Sequence, residues 1–129
     1  SQASCIIGNR QDSSDSIENL REFVNGLDPD LAIFMILTPF PGTDLYEEAK
    51  IKGWIKNWNW ADYDMIHAIM PTESLSIEQL QHELYRCYRS FFGSWSRVAE
   101  GFLSKNSAKK RVYRYFARQS VLRQLKNLV

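Results

Sequence analysis

Apolar positions along the chain fall into three patterns: unbroken runs, stripes at steps of three and four, and one aromatic-rich stretch without a period. The longest run, Leu31 to Leu37 (LAIFMIL), holds seven residues. It is too short to span a bilayer and too evenly apolar to leave one face in water, so it predicts a parallel strand buried on both faces. The stop is abrupt. Pro39 and Pro41 cannot donate to a ladder, each biases the residue before it (Thr38, Phe40) toward extended geometry, and Gly42 frees the backbone to turn. Thr43 then reads as a helix N-cap, with Glu47 and Glu48 near the start of that helix and Lys50 and Lys52 near its end. The unit is strand, rigid elbow, helix. In α/β proteins ligands gather at the elbow after a strand's C-terminal end, which makes TPFPGT the first place to look for chemistry.

Ser4 to Gly8 (SCIIG) predicts a second buried strand that turns at Gly8, Asn9 and Arg10. Asp15 and Glu18 have capping-box spacing, and Ile17, Leu20, Val24 and Leu27, with Phe23 beside them, step as an amphipathic helix ending at Gly26. Residues 4 to 37 therefore read as strand, helix, strand: a parallel pair with a right-handed crossover. Two such strands need neighbours, and no other convincing strand precedes Trp54.

From Trp54 to Pro71 no period holds. Trp54, Trp58, Trp60 and Tyr63 suggest an irregular crossing segment whose aromatics cover a core edge, and Asp64 and His67 follow. His67 reads either as a hydrogen-bonded, partly buried imidazole or as a ligand or acid–base group, and it is the catalytic candidate of this stretch. Ser76 to Gln79 is a capping box. Behind it Ile77, Leu80, Leu84, Cys87, Phe91, Trp95, Val98 and Phe102 form the strongest helical stripe, divisible at Gly93 and Gly101, with Cys87 as an inert core thiol. A last helix carries Val112, Tyr115, Phe116, Leu122, Leu125 and Val129 on one side.

Length and apolar content, 129 residues and 44% hydrophobic, suit one domain with a core. A net charge of +1 gives no general pull toward nucleic acid, yet after Glu100 there are eight Lys or Arg and no Asp or Glu. The basic residues of the last helix include Lys109, Lys110, Arg111, Arg114, Arg118, Arg123 and Lys126, and such a helix can bind an anionic membrane, nucleic acid or an acidic partner. Two distant cysteines, Cys5 and Cys87, make no metal-site spacing, so no metal ligand is expected from this chain. A reduced, cytoplasmic setting fits, with no signal peptide or transmembrane stretch in the sequence. A start on SQAS, directly before an apolar strand, reads as the interior of a longer protein.

Two stretches in order carry a resemblance. Ile6 to Gly8, then a helix, then DPDLAIFMILTPFPGTDLYEEAKIKGWI resembles the fifth and sixth strands of the radical S-adenosylmethionine barrel. The likeness is strongest to its cobalamin-dependent branch, which includes the anaerobic magnesium-protoporphyrin monomethyl ester oxidative cyclase. It continues through Trp60, Tyr63, Asp64 and PTESLSIEQL, which is similar to that branch's C-terminal extension. The resemblance implies an enzyme that uses S-adenosylmethionine, a [4Fe–4S] cluster and cobalamin. It implies an adenosyl-facing rim at Ile7, Gly8 and Asn9 and at Leu37, Thr38 and Pro39. The family holds its cluster on a CxxxCxxC segment that this sequence lacks, and its cobalamin domain lies N-terminal, so the chain alone is expected to hold none of these groups and to be inactive. Where the family continues with a Pro-Gly-Glu-Thr-like turn, this sequence has Asn9, Arg10, Gln11 and Asp12.

The expected fold is therefore α/β: the last two β/α units of a barrel over residues 1–53, a crossing segment over 54–75 and a helical extension over 76–129. Its main partner is the rest of its own polypeptide, with a small-molecule substrate and no nucleic acid, and the isolated chain is expected to self-associate through open strand edges. The competing reading is a non-catalytic helical module whose basic last helix binds a protein, nucleic acid or an anionic membrane.

Overall fold

A computed structural model describes residues 1–93, 99, 101–103, 107 and 110–115. The elements in order are β1 (Gln2–Ile7), α1 (Ser14–Leu27), β2 (Leu31–Ile36), α2 (Asp44–Ile51), a short 3₁₀ turn (Trp60–Asp62) and α3 (Ile77–Phe92). The chain divides into two compact units, Ser1–Phe91 and Phe92–Val129. The first is α/β and contains the sheet.

β1 and β2 pair in parallel, from Gln2 opposite Leu31 to Ile7 opposite Ile36. Residues opposite one another share a face. One face presents Ala3, Cys5 and Ile7 with Ala32, Phe34 and Ile36, and there Ile7, Phe34 and Ile36 are each 0% exposed. The other presents Gln2, Ser4 and Ile6 with Leu31, Ile33 and Met35; Ile6 is 48% exposed and the three β2 residues are half-buried. Burial of both strand faces, expected from LAIFMIL, is thus met on one face only. The reason is coverage. α3 packs on the first face, where the Tyr88 ring meets Phe34 edge-on at 5.6 Å. α1 lies alongside α3, joined to it by Ser14 Oγ donating to Glu83, Asn25 Nδ2 donating to Ser90 and Arg86 donating to Glu18. No described element covers the second face to the same extent.

The two strand edges differ as well. Along the outer edge of β2, Ile36 N donates to Met65 O at 2.7 Å, and the Tyr88 hydroxyl accepts from Phe34 N at 3.2 Å while donating to Phe34 O at 2.7 Å. That edge is closed by the chain itself. No strand pairs with the outer edge of β1 among the described residues.

Helix boundaries follow local chemistry. The N-cap of α1 is Ser13, not Asp15: Ser13 Oγ accepts from Ser16 N and Ser16 Oγ accepts from Ser13 N, a reciprocal box that leaves Asp15 in the first turn. α1 ends at Asp28, in the left-handed region at φ 47°, rather than at Gly26. Its buried stripe is Ile17, Arg21 and Val24, while Phe23 and Leu27 are exposed. Arg21 can lie there because Glu18 and Glu83 pair with it. Thr43 caps α2 as expected, accepting from Tyr46 N. Ser76 and Gln79 form the box that starts α3, whose buried residues include Leu80, Leu84, Cys87 and Phe91.

The segment after α2 is irregular, as its lack of period predicts, and it completes a second core of Tyr46, Ala49, Ile55, Ile69 and Met70 with Leu37, Trp54 and Tyr63 against it. Trp58 and Trp60 do not share that role; both are exposed. α3 stops at Phe92, before Gly93, so the expected stripe does not run on as one described helix, and Phe102 is exposed. In the second unit the buried Tyr113 ring packs on Gly101, leaving no room there for a Cβ, and lies 6.0 Å from Phe92. Residues 110–115 are helical, with Tyr115 exposed. Trp95, Val98, Lys109, Phe116, Arg118, Leu122, Arg123, Leu125, Lys126 and Val129 lie outside the described residues. No helix among the described residues is long and apolar enough to cross a membrane.

Candidate functional site

Parallel pairing brings the two predicted turns to one end of the sheet. Leu37 N donates to Ile7 O at 2.8 Å, so the chain after β1 and the chain after β2 leave side by side.

The turn after β1 is built on Asp12. Its Oδ2 accepts from Gly8 N at 2.8 Å and Asn9 N at 2.9 Å, and its Oδ1 accepts from Ser16 Oγ at 3.2 Å, tying the end of the strand to the start of α1. Gly8 sits at φ +91°, which L side chains rarely adopt, and a Cβ there would meet Leu80 Cδ2 at 3.0 Å. The backbone angle calls for glycine, and a Cβ would also have to push the tip of Leu80 back by a few tenths of an ångström. Asn9 is exposed and Ile7 is fully buried beneath the turn.

Arg10 fastens this turn to the crossing segment. Its Nη1 donates to Pro71 O at 2.6 Å, its carbonyl accepts from Glu73 N, and its guanidinium lies 4.1 Å from the centre of the Trp54 ring. Lys52 Nζ lies 4.8 Å from the same ring. Thr72 completes the seam by donating from Oγ1 to Asp12 O.

After β2, Leu37 is half-buried against the second core, Thr38 is buried with its hydroxyl donating to Ile36 O at 3.1 Å, and Pro39 is fully buried. Of the six predicted rim residues, Asn9 and Leu37 keep accessible surface, Gly8 contributes closely packed backbone, and Ile7, Thr38 and Pro39 form the floor.

His67 stands beside that rim on a turn tied to β2 by the Ile36 N to Met65 O bond. Asp64 Oδ1 accepts from the N–H groups of Ile66 and His67, each at 2.9 Å, and Asp64 Oδ2 lies 2.9 Å from His67 Nδ1. Burial pushes the Asp64 carboxyl up, but these hydrogen bonds and the nearby imidazole outweigh it and hold the group below its usual value. A carboxyl lowered on folding stabilises the fold above its unfolded pKa, about 4, and that contribution is lost as pH falls through the lowered value. Gln81 of α3 grips the turn from the other side, accepting from Ala68 N and donating to Ile66 O. His67 itself is exposed.

The cysteines do not gather. Cys87 is fully buried and burial pushes its thiol up to about 11, while burial also raises Cys5 in β1. Among the described residues no three His, Cys, Asp or Glu side chains could hold a metal ion.

Sequence reasoning missed Asp12 and Arg10 as the residues that shape the first turn. Asp12 could have been found as an Asx-type acceptor placed four residues after Gly8. Nothing in the sequence announces that Arg10 reaches Pro71 and Trp54.

No family model matches the chain. Similar proteins are enzymes. An uncharacterized methyltransferase of Pyrococcus horikoshii is 35% identical over 89 residues, which are 69% of this chain and 19% of that protein. The bacteriochlorophyllide d C-8(2)-methyltransferase of Chlorobaculum tepidum is 26% identical over 87 residues, 67% of this chain and 19% of its own length. The anaerobic magnesium-protoporphyrin IX monomethyl ester cyclase of Rubrivivax gelatinosus is 24% identical over 91 residues, 70% of this chain and 16% of its own length. The chain thus spans less than a fifth of the length of the curated relatives it matches.

Proposed function

We propose that this chain is the late part of a radical S-adenosylmethionine enzyme of the cobalamin-dependent kind, supplying the last two strands of its barrel and the helices on its substrate side. The observation that carries the reading is the asymmetry of the sheet: β2 has its outer edge closed by Met65 and Tyr88, while β1 has an outer edge without a described strand and shares with β2 a half-covered face that is apolar at Ile6, Leu31, Ile33 and Met35. This is the form expected of the last strands of a barrel whose other strands come before β1. The same half-covered face would then point inward.

The reaction class is methyl transfer or ring closure, and the substrate class is a tetrapyrrole, by analogy with the relatives that act on bacteriochlorophyllide d and magnesium-protoporphyrin IX monomethyl ester. In the complete protein, S-adenosylmethionine, a [4Fe–4S] cluster and cobalamin would supply radical and methyl chemistry. At the rim, exposed Asn9 would offer its amide and half-buried Leu37 an apolar contact to an adenosyl group, over buried Thr38 and Pro39. The thiols do not fit a cluster, since Cys5 and Cys87 face the packed side of the sheet and Cys87 is fully buried, so the cluster ligands belong elsewhere in the polypeptide. We place the whole enzyme in the cytoplasm.

The test is anaerobic reconstitution of the whole polypeptide that contains this chain, followed by incubation with S-adenosylmethionine and a reductant. Formation of 5′-deoxyadenosine or S-adenosylhomocysteine is expected. A folded, cluster-loaded protein that forms neither would refute the reading.

A further inference from the structure

One exposed side chain near the rim is prepared for more than structure. Asp64, with one oxygen on two backbone N–H groups and the other 2.9 Å from His67 Nδ1, is a carboxylate and can only accept. Neutral His67 therefore carries its proton on Nδ1 and presents a lone pair on Nε2, for which the described residues supply no hydrogen-bond partner. Histidines that ligate metals are commonly held this way, the second nitrogen donating to a carboxylate that fixes the ring and raises its basicity. The turn that presents the ring is pinned to β2 through Met65 O and to α3 through Gln81. Met65 sits at φ 65°, a left-handed conformation uncommon for a side chain of its length and maintained by those ties.

A bare ion is not the ligand this geometry suits, because no further donors converge on it among the described residues. A single donor suits a metal whose other positions are already filled by a planar macrocycle. Flat apolar surface stands close in the chain: Trp60 is 58% exposed, and its ring lies 4.8 Å from that of Tyr63, the residue before Asp64. We propose that His67 Nε2 is the axial ligand to the metal of a metallated tetrapyrrole substrate, with Asp64 as its positioning residue. This rests on the enzyme reading above. The lone pair fills an open axial position or displaces an axial water; no covalent bond of the macrocycle is broken and no electron is transferred.

The probe is zinc protoporphyrin IX, which takes one axial nitrogen, titrated against the whole polypeptide that contains this chain, prepared without cobalamin. Saturable binding at one equivalent with a red-shifted Soret band is expected. His67→Ala should weaken it at least tenfold and remove the shift; Asp64→Asn, whose side-chain oxygen can still accept from the turn, should weaken it about tenfold. His82→Ala, a substitution of the other histidine of this chain, should leave it unchanged. Metal-free protoporphyrin reports stacking alone and should bind more weakly than the zinc form. Equal affinity for the two, or a Soret shift that persists in His67→Ala, would overturn the proposal. Preference of His67 for aquocobinamide over zinc protoporphyrin would also overturn it by assigning the imidazole to a cofactor. If the whole polypeptide cleaves S-adenosylmethionine and ignores the zinc probe, the enzyme reading stands and the ligand falls. A polypeptide that binds the zinc probe through His67 and leaves S-adenosylmethionine intact keeps the ligand and refutes the enzyme reading.

Discussion

The two faces of the β1–β2 sheet are both apolar along β2 and differ in cover, and β1 adds Gln2 and Ser4 to the less covered one. On one, Phe34 and Ile36 lie under α3 and are sealed from water; on the other, Ile33 and Met35 are half-buried and Ile6 is largely open. An apolar run records what a strand is made to touch, and only packing shows which partners are present. The edges repeat the contrast, with the outer edge of β2 closed by Tyr88 and Met65 and the outer edge of β1 unpaired by any described strand. That difference gives the sheet a direction.

The largest effect should come from the closed face. Phe34→Ala removes a fully buried ring and should cost about 3–5 kcal/mol by urea unfolding, with Ile33→Ala costing less than half of that. Equal losses would mean that both faces are packed alike. Next is the charged contact between α1 and α3. Arg21→Met removes the 3.9 Å ion pair to buried Glu83, whose Oε1 keeps Ser14 and Arg86, and should cost about 2 kcal/mol, most of it recovered in the Arg21→Met, Glu83→Met pair. A double variant as unstable as the single would show that the loss does not run through Glu83. Gly8→Val should cost about 2 kcal/mol through its left-handed backbone and its collision with Leu80, and in the complete enzyme it should weaken S-adenosylmethionine binding at the rim. Unchanged thermal unfolding would contradict tight packing of α3 against this turn.

Smaller effects separate the faces by access. Cys87, sealed and with its thiol raised to about 11, should react with a thiol reagent only as fast as the chain unfolds, and half-buried Cys5 should react sooner. Ile6→Ser should change stability by less than about 0.5 kcal/mol yet reduce self-association of the isolated chain in sedimentation. Unaltered sedimentation would remove the open face from the association surface.

What is legible in the sequence has a physical pattern. Local rules suffice wherever one short segment decides its own shape: the existence of a strand at Leu31–Ile36, the Thr43 cap, the Ser76–Gln79 box and the end of α3 before Gly93 all stand as their residues imply, whereas burial of both faces of that strand, which depends on distant partners, does not. The cap of α1 lies two residues from the expected one because Ser13 and Ser16 outcompete Asp15, a choice between equally good caps that spacing cannot make. The stripe of α1 departs from expectation at Leu27 because Arg21, paired with Glu18 and Glu83, holds a buried place that apolarity alone assigns elsewhere. Arg10 is illegible for another reason. Its partner Pro71 lies some sixty residues away and no local pattern records such a contact, whereas the Asp12 turn onto Gly8 and Asn9 is local and open to an Asx reading. His67 is visible as a candidate with Asp64 three residues before it, but the bond of Met65 to β2 emerges only once the crossing segment is folded back onto the strand.

The most direct test of the central claim is to read the coding sequence upstream of Ser1. A reading frame that runs on through further β/α units and a CxxxCxxC segment is the expected result, because it would supply both strands for the outer edge of β1 and ligands for a cluster. A start codon a few residues before Ser1 would contradict the claim, since the open face and edge would then belong to a complete protein with no cluster to hold.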